Sequence, residues 1–105
     1  MDLIEREYHI NLFDTYKELL TDKQKEYFTL HYFDDLSFAE IAEEKNVSRN
    51  AAFDQIKKVL HTLEDYEEKL KLLKKSELIL EAVKDNSKLK EKVLSIIKEW
   101  YYGVW

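Results

Sequence analysis

The side chains best suited to chemistry in this sequence lie between positions 48 and 58. They are Ser48, Arg49, Asn50, Asp54, Lys57 and Lys58. Arginine and asparagine can each pair with the edge of a base through two hydrogen bonds, guanine for Arg49 and adenine for Asn50. Lysines neutralise backbone phosphates, which supplies most of the non-specific affinity for nucleic acid. The set is therefore a candidate nucleic-acid-binding face.

Residue types needed for catalysis or metal binding are scarce. The sequence has no cysteine, one glycine at position 103, and three histidines, His9, His31 and His61, on separate helical segments. An enzyme or cofactor site would need a nucleophile beside a base, a glycine-rich phosphate loop or a cluster of metal ligands. We therefore expect a protein that is not an enzyme, with no metal, no cofactor and no small-molecule substrate.

The elements that hold the polar set must be helices. Among 105 residues there is one glycine and no proline, so nothing before the last three residues interrupts a helix. Hydrophobic residues make up 45% of the chain and charged residues 37%, which is enough apolar material for one core. Apolar side chains recur at helical spacing over residues 2–20 and predict a first amphipathic helix. The predicted fold class is all-α.

Two capping boxes predict the starts of the next helices. Thr21 stands three residues before Gln24, and Ser37 stands three residues before Glu40. In this arrangement the two side chains satisfy each other's exposed backbone N–H groups at a helix start. The first box predicts a helix over about 22–33, and the second predicts a short helix that ends near residue 45.

The second box opens a helix-turn-helix motif over residues 37–58. Ala42 is small where two helices must cross closely, and Asn46 tolerates the positive φ that a sharp turn needs. Val47 is expected to insert inward, and Ser48 to cap the following helix. Small, turn and capping residues agree in register, which favours the motif over two unrelated helices.

A long helix follows the motif. Apolar residues continue from it at the alternating three- and four-residue spacing of a heptad seam that ends at Tyr66, Leu70 and Leu73. The next seam position is a glutamate, so a helix boundary or bend is predicted near residues 74–76, with Ser76 as its cap or kink point. The seam is either a homodimer interface or a surface covered by the chain's own first and last helices.

The predicted organisation is a helix-turn-helix domain over residues 1–75 and a C-terminal helical extension over residues 76–105. A further break with capping residues is predicted at 85–87. The extension packs on the core or on a dimer partner, and it ends in the aromatic residues Trp100, Tyr101, Tyr102 and Trp105. Exposed aromatic side chains often mark interaction sites. The candidate interaction surface therefore consists of Phe53, Tyr66, Leu70, Leu73, Trp100 and Trp105.

Residues 20–70, LTDKQKEYFTLHYFDDLSFAEIAEEKNVSRNAAFDQIKKVLHTLEDYEEKL, resemble the YlxM-like family of helix-turn-helix proteins. The resemblance implies a winged-helix-like core of three to four helices, similar to region 4 of bacterial sigma factors. It also implies an association with the signal recognition particle pathway, through gene neighbourhood. Family members usually carry a larger aliphatic residue in place of Ala52 and a tyrosine in place of Phe53.

The charge of the chain argues against tight binding to DNA. The formal net charge is −5 at pH 7, the pI is near 5.2, and residues 21–63 hold six cationic and eight acidic residues. A DNA-reading domain usually carries a basic footprint, and Asp54 stands one helical turn after Asn50. The resemblance implies a helix-turn-helix regulatory protein of the signal recognition particle pathway, with the particle's protein or RNA as its partner. Two alternatives remain open: a sequence-specific DNA-binding transcriptional regulator, and a protein–protein adaptor that binds no nucleic acid.

The sequence favours a cytoplasmic location. Its first residues lack the basic start and continuous apolar stretch of a signal peptide, and no run approaches about 18 apolar residues. We therefore expect a protein that does not contact the membrane.

Overall fold

The structure is a computed structural model that describes the backbone of residues 3–102 and the side chains of residues 3–98. Within this part the chain forms six α-helices and one 3-10 helix, without a strand, which confirms the all-α class. The helices are α1 (Leu3–Tyr16), α2 (Asp22–Tyr32), α3 (Phe38–Lys45), α4 (Arg49–Leu70), α5 (Leu72–Val83) and α6 (Ser87–Tyr102). None of these helices is long and apolar enough to cross a membrane.

The first helix is shorter than the predicted 2–20. It ends at Tyr16, and the 3-10 helix Lys17–Leu19 follows, closed by a 3.0 Å bond from the Leu20 N–H to the Lys17 carbonyl. A tighter last turn is common at helix ends. Here it brings the chain into the extended conformation that Thr21 needs to cap α2.

Both predicted capping boxes are confirmed. The Thr21 hydroxyl accepts the Gln24 N–H at 3.1 Å, and Gln24 Oε1 accepts the Thr21 N–H at 2.8 Å. The Ser37 hydroxyl accepts the Glu40 N–H at 3.1 Å, and Glu40 Oε1 accepts the Ser37 N–H at 3.0 Å. The hydrogen bond from the Ser37 backbone, followed by that from its side chain, lowers the pKa of Glu40. Each helix start is thereby fixed by contacts within four residues.

An aromatic core positions α4 against α1 and α2. Phe13 stacks on Phe28 with ring centroids 4.2 Å apart, and Phe28 stacks on Tyr32 at 4.3 Å. Phe28 and Leu63 are fully buried, and α4 packs against α1, α2 and α3. Offset aromatic stacking adds to the free energy of area burial. The long helix is therefore held along much of its length.

The turn between α3 and α4 has the predicted geometry. Asn46 ends α3 with φ 56° and ψ 47°, and the Val47 N–H donates to the Ala42 carbonyl at 2.9 Å. The prediction that Val47 points inward is wrong, because its side chain is 39% exposed. The space between the two helices is already filled by the buried side chains of Ile41, Ala42, Ala52 and Ile56.

The helix boundary predicted near residues 74–76 is also wrong. The long helix ends at Leu70, and Lys71 adopts a left-handed conformation with φ 56° and ψ 30° before α5 begins. Ser76 does not cap a helix, since it is fully buried and its hydroxyl donates to the Leu73 carbonyl at 2.7 Å.

Side chains from α1 and α4 cap the start of α5 instead. The Tyr16 hydroxyl donates to Glu67 Oε1 at 2.5 Å and accepts the Leu72 N–H at 3.1 Å. The Glu67 carboxylate also accepts the N–H groups of Leu73 at 3.1 Å and Lys74 at 3.0 Å. We call this arrangement of Tyr16, Glu67 and residues 72–74 the α4–α5 joint. It provides acceptors for backbone donors that have no partner within α5.

The continuous seam predicted through Tyr66, Leu70 and Leu73 is therefore wrong. Leu73 belongs to α5 and is 3% exposed in the core, while Tyr66 donates its hydroxyl to the Leu19 carbonyl at 3.3 Å. Leu70 is 43% exposed. The left-handed Lys71 separates the helices, so these side chains do not form one stripe.

The C-terminal helices pack on the first helix. α6 contacts α1 and α5, and Ile97 is 2% exposed. The break predicted at 85–87 is confirmed, since α6 begins at Ser87 and Asn86 Oδ1 accepts the Leu89 N–H at 3.0 Å. Helix α5 runs across the predicted domain boundary at 75/76, and the division into a domain and an extension stays a prediction.

Candidate nucleic-acid interface

The start of α4 is fixed by Ser48. Its backbone is extended, and its hydroxyl oxygen accepts the Ala51 N–H at 3.0 Å. A serine hydroxyl that accepts one hydrogen bond still carries a proton to donate. Ser48 is therefore first a capping residue, and its donor stands beside the exposed helix start.

The structure brings the predicted nucleic-acid-binding residues together on the exposed side of α4. Arg49, Asn50, Asp54, Lys57 and Lys58 are all exposed. Residues at three- and four-residue spacing share a helix face, so Asn50, Asp54 and the two lysines form one group and Arg49 lies at its edge. This is the end of the helix that, in a helix-turn-helix protein, meets the bases.

A cluster of aromatic rings and cations lies beside this face. Phe53 is 39% exposed and meets Phe38 edge-on at 5.1 Å, and Phe38 stacks on His31 at 4.6 Å. Arg49 Cζ lies 5.9 Å from the centre of the Phe38 ring, and Lys57 Nζ lies 5.6 Å from that of Phe53. We call these five residues the aromatic–cation cluster. Of its three rings, the sequence pointed only to Phe53, because helical spacing does not relate residues on different helices.

Charge is divided along α4. Residues 49–61 hold three cationic residues and one aspartate, whereas residues 62–70 hold four acidic residues and one lysine. Among the described side chains, no ion pair involves Arg49, Lys57 or Lys58. Asp54 interrupts the basic strip, so the local excess of positive charge is modest.

An open groove lies between the start of α2 and α4. Its volume is about 570 Å³, and it is lined by Gln24, Asp54, Lys57, Lys58, His61 and Thr62. Three of these residues were predicted from the sequence as nucleic-acid contacts. The other three were not, and only the packing of α2 against α4 brings Gln24 to them.

A buried polar network on α1 supports the fold. His9 is 5% exposed, its Nδ1 lies 3.0 Å from the Tyr32 hydroxyl, and its Nε2 lies 3.6 Å from Glu64. Arg6 hydrogen-bonds to the Tyr32 carbonyl and pairs with Asp35 at 3.1 Å. Burial raises the pKa of Tyr32 to about 12. These contacts join α1, α2 and α4.

The remaining predicted interaction residues lie elsewhere. Tyr66, Leu70 and Leu73 are near the α4–α5 joint. The predicted contacts of Trp100 and Trp105 lie outside the described side chains. In the part of the chain whose side chains are described, no group of three acidic, histidine or cysteine residues is arranged to hold a metal ion.

Comparison with known proteins agrees with the geometry of α3 and α4. The family model UPF0122, described as "Putative helix-turn-helix protein, YlxM / p13 like", matches residues 3–100. A UPF0122 protein of Halalkalibacterium halodurans is 45% identical over 93 residues, which cover 83% of this chain and 85% of that protein.

Relatives from Bacillus are more similar over a shorter stretch. The UPF0122 protein YlxM of Bacillus subtilis is 61% identical over 64 residues, and a Bacillus cereus relative is 59% identical over 64 residues. Each alignment covers 61% of this chain and 58% of the relative, so the chain spans less than two thirds of these Bacillus proteins. The resemblance found in residues 20–70 is confirmed. The chain belongs to the UPF0122 family of YlxM/p13-like helix-turn-helix proteins.

Proposed function

We propose that this protein is a regulator that binds duplex DNA through the exposed start of α4. The observation that carries the proposal is the group of Arg49, Asn50, Lys57 and Lys58, exposed at the start of the motif's second helix and outside any described ion pair. In helix-turn-helix proteins this part of the helix enters the major groove. Arg49 and Asn50 would contact bases, and the lysines would contact phosphates.

The charge distribution predicts weak and salt-sensitive binding. Two lysines contacting phosphates give a slope of about −1.8 for log affinity against log salt concentration, at about 0.9 per contact. Affinity should then fall about 12-fold between about 0.05 and 0.2 M salt. The acidic half of α4 and the net charge of −5 weaken binding further, because they repel the DNA backbone.

Fluorescence anisotropy with labelled duplexes of random sequence tests this proposal in the full chain. Lys57→Ala should weaken binding and lower the salt slope by about 1. Lys75→Ala is the matched control, since it removes one exposed positive charge from α5. No binding by the unmodified protein at low salt would refute the proposal.

The aromatic–cation cluster favours a second candidate function, that of a protein adaptor in the signal recognition particle pathway. Phe53 exposes 39% of its surface, and Arg49 lies over the neighbouring Phe38 ring. Aromatic residues and arginine are enriched at protein interfaces. A pull-down with the signal recognition particle protein and its RNA tests this function. Phe53→Ala should reduce recovery, and recovery of neither component would exclude the adaptor role.

We also propose that the protein is a cytoplasmic, non-enzymatic homodimer. DNA and the targeting machinery are both reached from the cytoplasm, and two motifs in one dimer would double the contacts with DNA. Exposed apolar residues on the C-terminal helices, such as Leu78 at 59% and Ile96 at 62%, support a contact between protomers. Light scattering after size exclusion should give twice the chain mass of 12.7 kDa, and a monomer at micromolar concentration would contradict this.

A further inference from the structure

The groove between the start of α2 and α4 has the chemistry of an anion site. We infer that it binds a phosphate group, carried either by a nucleic-acid backbone or by a small phosphorylated molecule. Its volume of about 570 Å³ falls in the usual range of small-molecule sites, about 300 to 1,000 Å³. A phosphate and the sugar attached to it fit within that space.

The groove carries more donors than acceptors. Lys57 and Lys58 supply two positive charges, while Asp54 supplies the single carboxylate among the lining residues. His61 and Thr62 add a ring nitrogen and a hydroxyl. A phosphate oxygen accepts hydrogen bonds from all these donors, and charged donors form the stronger bonds.

Gln24 contributes a donor whose orientation is already set. Its Oε1 accepts the Thr21 N–H in the capping box at 2.8 Å, so the side chain is held at the start of α2. The amide nitrogen carries two further donors that the box does not use. A pre-positioned donor loses little conformational entropy when it binds a ligand.

The start of α2 adds a favourable field. The helix has 11 residues, and the N–H groups of its first two residues have no acceptor within the helix, whereas the Gln24 N–H is already accepted by Thr21. Asp22 places one carboxylate in the same turn. The helix dipole places partial positive charge at this end, where anions are stabilised. This field adds to the charge of the lysines on α4, whereas the Asp54 carboxylate opposes a bound anion and limits its affinity.

Where the phosphate belongs to DNA, the groove deepens the proposed function, and this case rests on that function. In that case the groove would hold a backbone phosphate on one flank of α4, while Arg49 and Asn50 contact bases. The groove itself does not depend on DNA binding, because its donors suit any phosphate group.

Titration of the full chain with inorganic pyrophosphate, followed by ¹H–¹⁵N NMR at constant ionic strength, tests the site directly. Saturable shifts are expected for the amides of residues 22–24 and 57–62. Gln24→Glu is the sharpest variant: a glutamate keeps the capping box but replaces the amide donors with a negative charge. Gln24→Glu should abolish saturable pyrophosphate binding, Lys58→Ala should weaken this binding, and Lys75→Ala should leave it unchanged. No saturable shift, or the same affinity in Gln24→Glu, would overturn the inference.

A parallel titration with labelled duplex DNA identifies the source of the phosphate. If DNA supplies it, Lys58→Ala should weaken binding about eightfold at about 0.1 M salt, as loss of one phosphate contact predicts. Saturation by pyrophosphate without DNA binding would support the groove, point to a small phosphorylated ligand and refute the proposed function. DNA binding that Gln24→Glu leaves unchanged, together with no pyrophosphate binding, would overturn the groove and leave the proposed function intact.

Discussion

Replacing Tyr16 with phenylalanine should destabilise the protein far more than the loss of one hydroxyl from its surface. Tyr16 is 1% exposed, and its hydroxyl both donates to Glu67 and accepts the Leu72 N–H. Burial, followed by the hydrogen bond to Glu67, raises the pKa of Tyr16. The hydroxyl is therefore protonated at neutral pH and donates to the carboxylate. Tyr16→Phe removes this donor and acceptor while the ring still fills the core.

The cost follows from the two bonds. A hydrogen bond to a charged group contributes about 1.5 to 3 kcal/mol, and a buried N–H left without an acceptor costs about 1 to 3 kcal/mol. Because the start of α5 is only partly buried, we expect a loss of about 3 kcal/mol in total. Domains of this size unfold with about 5 to 15 kcal/mol, so the loss is a large fraction of the stability.

Urea denaturation followed by circular dichroism measures this loss. With a slope of about 1.5 kcal/mol per molar, the midpoint should fall by about 2 M. Tyr8→Phe is the matched control, because Tyr8 is 42% exposed and its loss should change stability by less than about 0.5 kcal/mol. If both variants shift the midpoint equally, the α4–α5 joint does not stabilise the fold and the reasoning fails.

Three further predictions concern other parts of the molecule. The pKa of Tyr32 is raised to about 12, against about 10 in an unfolded chain. Because the unfolded chain loses this proton first, the free energy of unfolding should be constant in this respect below about pH 10 and fall between about pH 10 and 12. Tyr32 should contribute about 1.4 kcal/mol per pH unit to the slope of stability against pH in urea denaturation. Tyr32→Phe should therefore reduce this slope, and an unchanged slope would contradict the prediction. Lys71→Gly should raise stability by about 0.5 to 1 kcal/mol, because glycine tolerates the left-handed conformation of this position. Lys75→Gly, within α5, should lower stability by about 1 kcal/mol. Equal thermal midpoints for the two variants would count against this prediction. Ser48→Ala should lower the free energy of unfolding by about 1 kcal/mol, because the cap is lost. Ser48→Asp should keep the cap but weaken DNA binding in the anisotropy assay, because it adds a negative charge. Tighter DNA binding by Ser48→Asp would argue against DNA at this surface.

The parts of the fold that the sequence predicted depend on contacts between near neighbours. The capping boxes at Thr21 and Ser37 each involve residues three apart, and the left-handed Asn46 suits a residue type known for that conformation. Such signals can be read without knowing how the helices pack. The start of α6 after Asn86 was found for the same reason.

The errors arise where distant residues decide the structure. Lys71 is not a typical left-handed residue, and the acceptors for the start of α5 include Tyr16, more than 50 positions away in sequence. A heptad pattern that passes through position 71 cannot reveal this break. Val47 was expected inside because the helix-turn-helix pattern has an inward residue after the turn, but Ile41 and Ile56 are buried there and Val47 is 39% exposed.

The candidate site was predicted in part. Arg49, Asn50 and the lysines follow from the position of the motif within one helix, and the structure places them on one exposed side. Gln24 and His31 reach the site from α2, so their contribution depends on helix packing and has no local signal. The affinity of the site for DNA depends on its charge balance, and the anisotropy assay measures this affinity.

The hydrogen bond between Tyr16 and Glu67 joins positions 51 residues apart and has a consequence for evolution. A substitution at either position removes this hydrogen bond, and the start of α5 then keeps only the acceptors that the other side chain supplies. The two sites should therefore change together among relatives, with tyrosine retained where the glutamate is retained. An alignment in which one varies freely while the other does not would show that other members of the family close this joint in a different way.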